Sequence, residues 1–129
     1  MQPMPGIPDV TTDPAIPVLF RVVPLIHHLD LDGGGTLVLI SLELWHDFLT
    51  IAWLEAPPLD EQRGRPTPPH WSVEDDAGTL YRRGAGGGGG GSTYLRGTVS
   101  FNPAPPEAAS TLRITPPRVL DGSFSVLLR

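Results

Sequence analysis

The sequence predicts an all-β domain, a two-sheet antiparallel sandwich of seven to eight short strands. Three observations carry that prediction. Apolar residues recur at every second position in short runs, which is the period of a half-buried strand. Each run is bounded by glycine, proline, asparagine or aspartate, the residues that set turn geometry. No segment sustains a helical period over a dozen residues. A hydrophobic fraction of 40% over 129 residues supplies one core, in spite of 16 prolines and 15 glycines.

Residues 1–17 hold five prolines and little apolar periodicity, and read as an extended arm, either flexible or laid along a sheet edge. A single domain is expected over residues 18–129. VLFRVVPLIHHL (18–29) is a strand in which Pro24 marks an edge position or a bend, and DLDGGG (30–35) is a turn cluster. TLVLISLELW (36–45) alternates so that Val38, Ile40, Leu42 and Leu44 share a face. His46 and Asp47 then turn the chain into FLTIAWLEA (48–56), where Leu49, Ile51 and Trp53 share a face, and the two runs form a β-hairpin. A long proline-rich connection fills residues 57–69. HWSVEDD (70–76) is a strand reversed by the Asp-Ala-Gly turn within DDAGTLY (75–81).

The six glycines at 86–91 read as a slack hairpin connection between Tyr81 and Tyr94, entropically costly to order and therefore a mobile tip. On that reading, replacing residues 85–91 by a short Asn-Gly turn preserves or raises stability. TYLRGTVSF (93–101) follows, with Leu95, Gly97, Val99 and Phe101 pointing one way. Residues 102–110 form a loop with a single helical turn at 107–110. TLRIT (111–115) and SFSVLLR (123–129) complete the set, with Phe124, Val126 and Leu128 in register. Strands of this number and spacing suit a sandwich of immunoglobulin-like type, with a small barrel as the competing closure. No cysteine pair spans the sheets, so Trp53 or Trp71 is expected to fill the space between them.

DDAGTLYRRGAGGGGGG, followed by a strand and FNPAPPEAASTLRI, resembles an uncharacterised bacterial family of immunoglobulin-like sandwich domains. The shared pattern is an acidic turn, Gly-Thr-x-Tyr, a glycine-rich loop, Phe-x-Pro-x-Pro-Pro and a Leu-x-Ile strand, and it covers roughly residues 36–128. It is more distantly similar to the sandwich domains attached to some bacterial anti-sigma-factor-like membrane proteins. The resemblance implies a fold and supplies no catalytic residue. The chain departs from the membrane-attached versions in having no transmembrane helix.

Composition narrows the chemistry. A net charge of −5 disfavours nucleic acid and anionic membranes as partners. All nine basic residues are arginine, which removes Schiff-base and phosphate-loop lysines. The absence of cysteine removes disulfides, zinc–thiolate sites and thiol catalysis, and agrees with a cytoplasmic location. The first seventeen residues carry neither a basic region nor an apolar one, so a signal peptide is not expected.

The glycine run fails as a phosphate loop, because no lysine follows Gly91 and the next segment is a strand. DLDGGG opens like a calcium loop, but Gly34 occupies the third ligand position and Ser41 stands where the bidentate glutamate belongs. Asp30 and Asp32, with Asp75 and Asp76 of the second acidic turn, are the candidate cation ligands should the two turns lie together. His27 and His28 point to opposite faces of one strand, and His46 and His70 lie elsewhere, which is poor geometry for zinc. No ordered catalytic signature is present and no cofactor is expected.

Arg63, Arg65, Arg82, Arg83 and Arg96 flank the two longest loops and are the candidate contacts for a protein partner. The leading expectation is thus a non-catalytic interaction or scaffold domain, binding a protein or itself through a sheet edge or those loops. A metal-dependent binder or enzyme using the acidic turns and histidines is the second reading. An accessory or regulatory domain serving a separate catalytic protein is the third.

Overall fold

The computed structural model describes residues 16–57, 70–120 and 122–128. Most of the expected arm and the proline-rich connection, with Arg63 and Arg65, lie outside the described residues. Eight antiparallel strands follow in order: β1 (Leu19–Asp30), β2 (Thr36–Trp45), β3 (Leu49–Ala56), β4 (Ser72–Asp75), β5 (Arg82–Gly90), β6 (Leu95–Asn102), β7 (Thr111–Thr115) and β8 (Phe124–Leu127). They form a five-stranded sheet, β1-β2-β3-β6-β5, and a three-stranded sheet, β4-β7-β8. Among the described residues no helix is long and apolar enough to cross a membrane.

The two sheets share one core. The larger sheet contributes Leu39, Leu42, Leu49, Ile51 and Val99, and the smaller one Leu112 and Ile114, all fully buried. Burying each such side chain is worth about 1.5–3 kcal/mol. Trp53 and Trp71 meet with ring centroids 6.3 Å apart, filling the space foreseen for them. Trp45 instead stacks on Phe48 at 5.4 Å near the β2–β3 turn, and its indole N–H donates to Glu43 Oε1 at 3.0 Å.

The β2–β3 hairpin forms as expected, closed by Trp45 N–H donating to the Phe48 carbonyl at 2.8 Å. The expected facing of β2 is corrected in its first half. An irregularity between Leu39 and Ser41 adds one residue to β2 relative to β3. The buried set therefore runs Leu37, Leu39 and then Leu42, with Leu44 packed against the core and Val38 and Ile40 on the other face. One inserted residue reverses the parity of everything before it.

Two further irregularities interrupt β1, between Leu19 and Arg21 and between Pro24 and His27. Within the second, Ile26 has φ of 47°, a left-handed value that is strained for a β-branched residue. Its side chain is 72% exposed, so packing does not offset the strain. Ile26→Gly is expected to raise stability by about 1 kcal/mol. The check is a higher denaturation midpoint at an unchanged slope.

The glycine run is a strand and not a connection. Residues 86–90 pair with β6 in regular antiparallel register, Gly86 with Val99 through Gly90 with Leu95. The hairpin turn lies beyond them, where Gly91 N–H donates to the Tyr94 carbonyl at 3.0 Å. The reason is steric. A Cβ at Gly86, Gly88 or Gly90 would sit 2.8, 2.6 or 2.2 Å from a carbonyl oxygen of Thr98, Arg96 or Tyr94, whereas Gly87, Gly89 and Gly91 have open space. Every second glycine therefore permits a backbone approach that a side chain would block. Replacing residues 85–91 by a turn would remove most of a strand, so stability is expected to fall with it.

The acidic turn after β4 is corrected as well. It does not fold β4 back into a hairpin, because β5 belongs to the other sheet, and the chain crosses the core there. The expected helical turn in the β6–β7 connection is a single hydrogen-bonded turn closed by Ala109 N–H to the Pro106 carbonyl at 3.0 Å.

Candidate functional site

Sheet edges present unpaired backbone groups, and the described residues give four of them. β4 and β8 are four residues long each. β1 is long but interrupted by its two irregularities and Pro24, and its Arg21 turns inward so that Nη1 donates to the Leu128 carbonyl. Bulges, proline and an inward charge are the devices that keep an edge strand from pairing with another chain. β5 has none of them beyond the irregularity between Arg83 and Gly86. From Gly86 to Gly90 it offers a regular, exposed ladder, and among the described residues nothing pairs with its outer side.

Two strands, β6 and β3, hold this edge in place. β6 alternates strictly, with Gly97, Val99 and Phe101 buried and Arg96, Thr98 and Asn102 exposed. Gly97 pairs with Trp53 on one side and Gly88 on the other, and the indole occupies the volume a Gly97 side chain would need. On the outer face Thr50 and Ser100 bond hydroxyl to hydroxyl at 2.9 Å, tying β3 to β6. At the start of the edge a cavity of about 370 Å³ is lined by Asp47, Phe48, Gly84, Ala85, Ser100 and Asn102.

The sequence-derived arginines divide. Arg82 and Arg83 start β5 opposite Asn102 and Phe101, while Arg96 lies opposite Gly89. Asn102 and Arg96 are six positions apart, about 20 Å of strand. The three therefore do not gather into one patch; they bracket the glycine edge. All three are exposed, and among the described residues none has an acidic partner.

The candidate cation ligands also divide. The carboxylates of the second acidic turn hold backbone and side-chain hydrogens. Ala77 and Thr79 N–H donate to Asp75 Oδ1 at 2.9 and 3.1 Å, and Tyr81 donates its phenol to Oδ2 at 2.6 Å. Ser110 and Thr111 N–H donate to Asp76 Oδ1 at 2.8 and 3.3 Å. The first acidic turn lies at the opposite end of β7: Asp32 N–H donates to the Arg118 carbonyl at 2.7 Å and Leu120 N–H to the Asp30 carbonyl at 3.0 Å. The two turns are thus separated by the length of β7, and the shared site is not formed.

The histidines disperse too. His27 stacks on Phe124 at 4.2 Å, bridging β1 and β8, and His46 Nδ1 contacts Asp47 Oδ1 at 2.8 Å. His28 and His70 are exposed. No three His, Cys, Asp or Glu among the described residues are grouped to hold a metal.

Burial pushes the Asp75 carboxyl up, but hydrogen bonds from Thr79, Tyr81 and the Thr79 and Ala77 amides outweigh it and hold the group at about 2. Burial, with the bond to Asp75, raises Tyr81 far above the ordinary phenol range. Asp76 is lowered chiefly by the Ser110 amide. Because its folded value is depressed, Asp75 stabilises the domain fully above the ordinary carboxylate value of 3.8 and loses that contribution as the pH falls towards about 2. Asp75→Asn is expected to cost about 1–2 kcal/mol at neutral pH after allowance for solvent screening. The difference from wild type should close between pH 4 and pH 2 in acid-unfolding titrations.

One buried pair escaped the sequence reading. Arg118 Nη2 donates to Glu55 Oε1 at 2.9 Å, with side chains only 17% and 6% exposed. Glu55 continues the inward parity of Leu49, Ile51 and Trp53, and a carboxylate at such a position signals a buried cation nearby. Arg118 also has φ of 62°, outside the usual range for a non-glycine residue.

Comparison of the chain with protein-family models, with curated proteins and with solved structures finds no match.

Proposed function

We propose that this chain is a non-catalytic protein-interaction or scaffold domain of the cytoplasm that takes its partner along the outer edge of β5. The observation that carries this reading is the contrast among the edges: β1 is broken by two bulges, proline and an inward arginine, β4 and β8 are short, and β5 is regular and unguarded from Gly86 to Gly90. Strand addition draws affinity from main-chain hydrogen bonds, which a glycine strand offers without obstruction. Of the carboxylates that suggested metal chemistry, Asp75 and Asp76 are engaged by amides and a phenol, which favours a structural role for the second acidic turn.

The immunoglobulin-like description, and with it the resemblance to bacterial sandwich domains, belongs to this proposal. Two antiparallel sheets over one core, with chain crossings before β4, β5 and β7, support it. The chain differs from an antibody constant domain in keeping its first three strands together as a meander.

A photo-crosslinking residue placed at Gly89, where a side chain meets open space, tests the reading in the producing cells. A discrete adduct with another protein, or with a second copy, is expected there and not at the exposed control position Ser125. Equal labelling at both positions, or none at Gly89, would overturn it.

A further inference from the structure

Resting on the edge reading above, we infer that the segment docking on β5 is an extended acidic one, with carboxylates held by Arg82 and Arg96. The chain as a whole carries −5, yet β5, β6 and the turn joining them contain three arginines and no carboxylate. That local reversal of sign is what an acidic strand would select against the repulsive remainder of the surface.

The glycines give the reversal a geometry. Arg96 stands on β6, one strand in from the edge, and its direct neighbour on β5 is Gly89. Strands are about 4.8 Å apart, less than the reach of an arginine side chain. With no side chain at Gly87 or Gly89, nothing on β5 screens Arg96 or Thr98 from a strand added outside it. A β5 with ordinary side chains would cover both. The glycine run thus serves two purposes: its 86, 88 and 90 positions permit close pairing with β6, and its 87 and 89 positions open the second row of side chains to the edge.

Parity sets the spacing. Arg82 pairs with Asn102, and Asn102 and Arg96 are both exposed, so the two arginines share the outer face about six residues apart. In an added strand, residues six apart also share a face. Carboxylates at such positions would each meet one guanidinium, which binds a carboxylate through paired N–H donors. The backbone between them would supply the affinity and the arginines the selection.

Three labelled heptapeptides of alternating valine and threonine, carrying Glu, Gln or Lys at both ends, test this on the full chain. The readouts are fluorescence anisotropy and amide hydrogen exchange. The Glu peptide is expected to bind about tenfold more tightly than the Gln peptide, from two exposed ion pairs, and to lose that advantage in high salt. It should slow exchange of those 86–90 amides that face away from β6, and Arg96→Gln should weaken it about threefold to fivefold. Equal binding of all three peptides with the 86–90 amides protected would overturn the acidic partner and leave the edge reading intact. Failure of every peptide to protect those amides would overturn both.

Discussion

Glu55→Leu is expected to lower the unfolding free energy by about 3 kcal/mol, the usual cost of removing one partner from a buried ion pair. The Arg118 guanidinium would stay enclosed at 17% exposure, and its Nε already lacks a hydrogen-bond partner among the described residues. The Arg118 carbonyl also receives Asp32 N–H, so the loss should spread into the β1–β2 turn. Removing both charges in Glu55→Leu/Arg118→Leu should recover a large part of the loss, because neither charge is then left buried. Denaturant unfolding of the two single variants and the double variant measures this. Losses that simply add would mean that the pair contributes no coupling.

Gly97→Ala is expected to cost about 2–3 kcal/mol, the range for overpacking a filled core. The new Cβ would lie 2.4 Å from the Gly87 carbonyl oxygen and 2.6 Å from Trp53 Cζ2. Both neighbours are constrained, one by the β5–β6 ladder and the other by Trp71. The indole should move, and its fluorescence with it. Gly89→Ala serves as the control: its Cβ meets nothing within 4 Å, and the variant should retain stability. Gly88→Ala, one residue away, should lose it.

Those contrasts mark where the sequence was legible. Strand existence followed from alternation, and β2, β7 and the β2–β3 hairpin lie where the apolar runs place them. Facing was less secure, because the extra residue near Ile40 leaves no trace in composition yet reverses which side chains are inward. β5 was illegible by periodicity, since identical glycines have no alternation to read and a low strand preference. The one available signal was Gly97, a glycine inside an otherwise regular strand, which marks a close backbone approach. The acidic turns resembled ligand sets because aspartate serves turns and cations with the same oxygens. Their placement at opposite ends of β7, and the donors held by Asp75 and Asp76, separate the two uses.

The arginines show the same limit from the other side. Sequence picked out Arg82, Arg83 and Arg96 through their nearness to long loops, whereas their positions follow from strand register. That register sets them as a bracket around the β5 edge.

Strand addition at β5 requires the glycine run to be an ordered edge strand. NMR of isotopically labelled protein tests this directly through the facing pair Gly88 and Gly97. A cross-strand contact between their α-protons is expected, with slow exchange for the amides of 86–90 that face β6 and fast exchange for those facing outward. Sharp random-coil glycine signals, uniform fast exchange and no such contact would contradict an ordered edge strand.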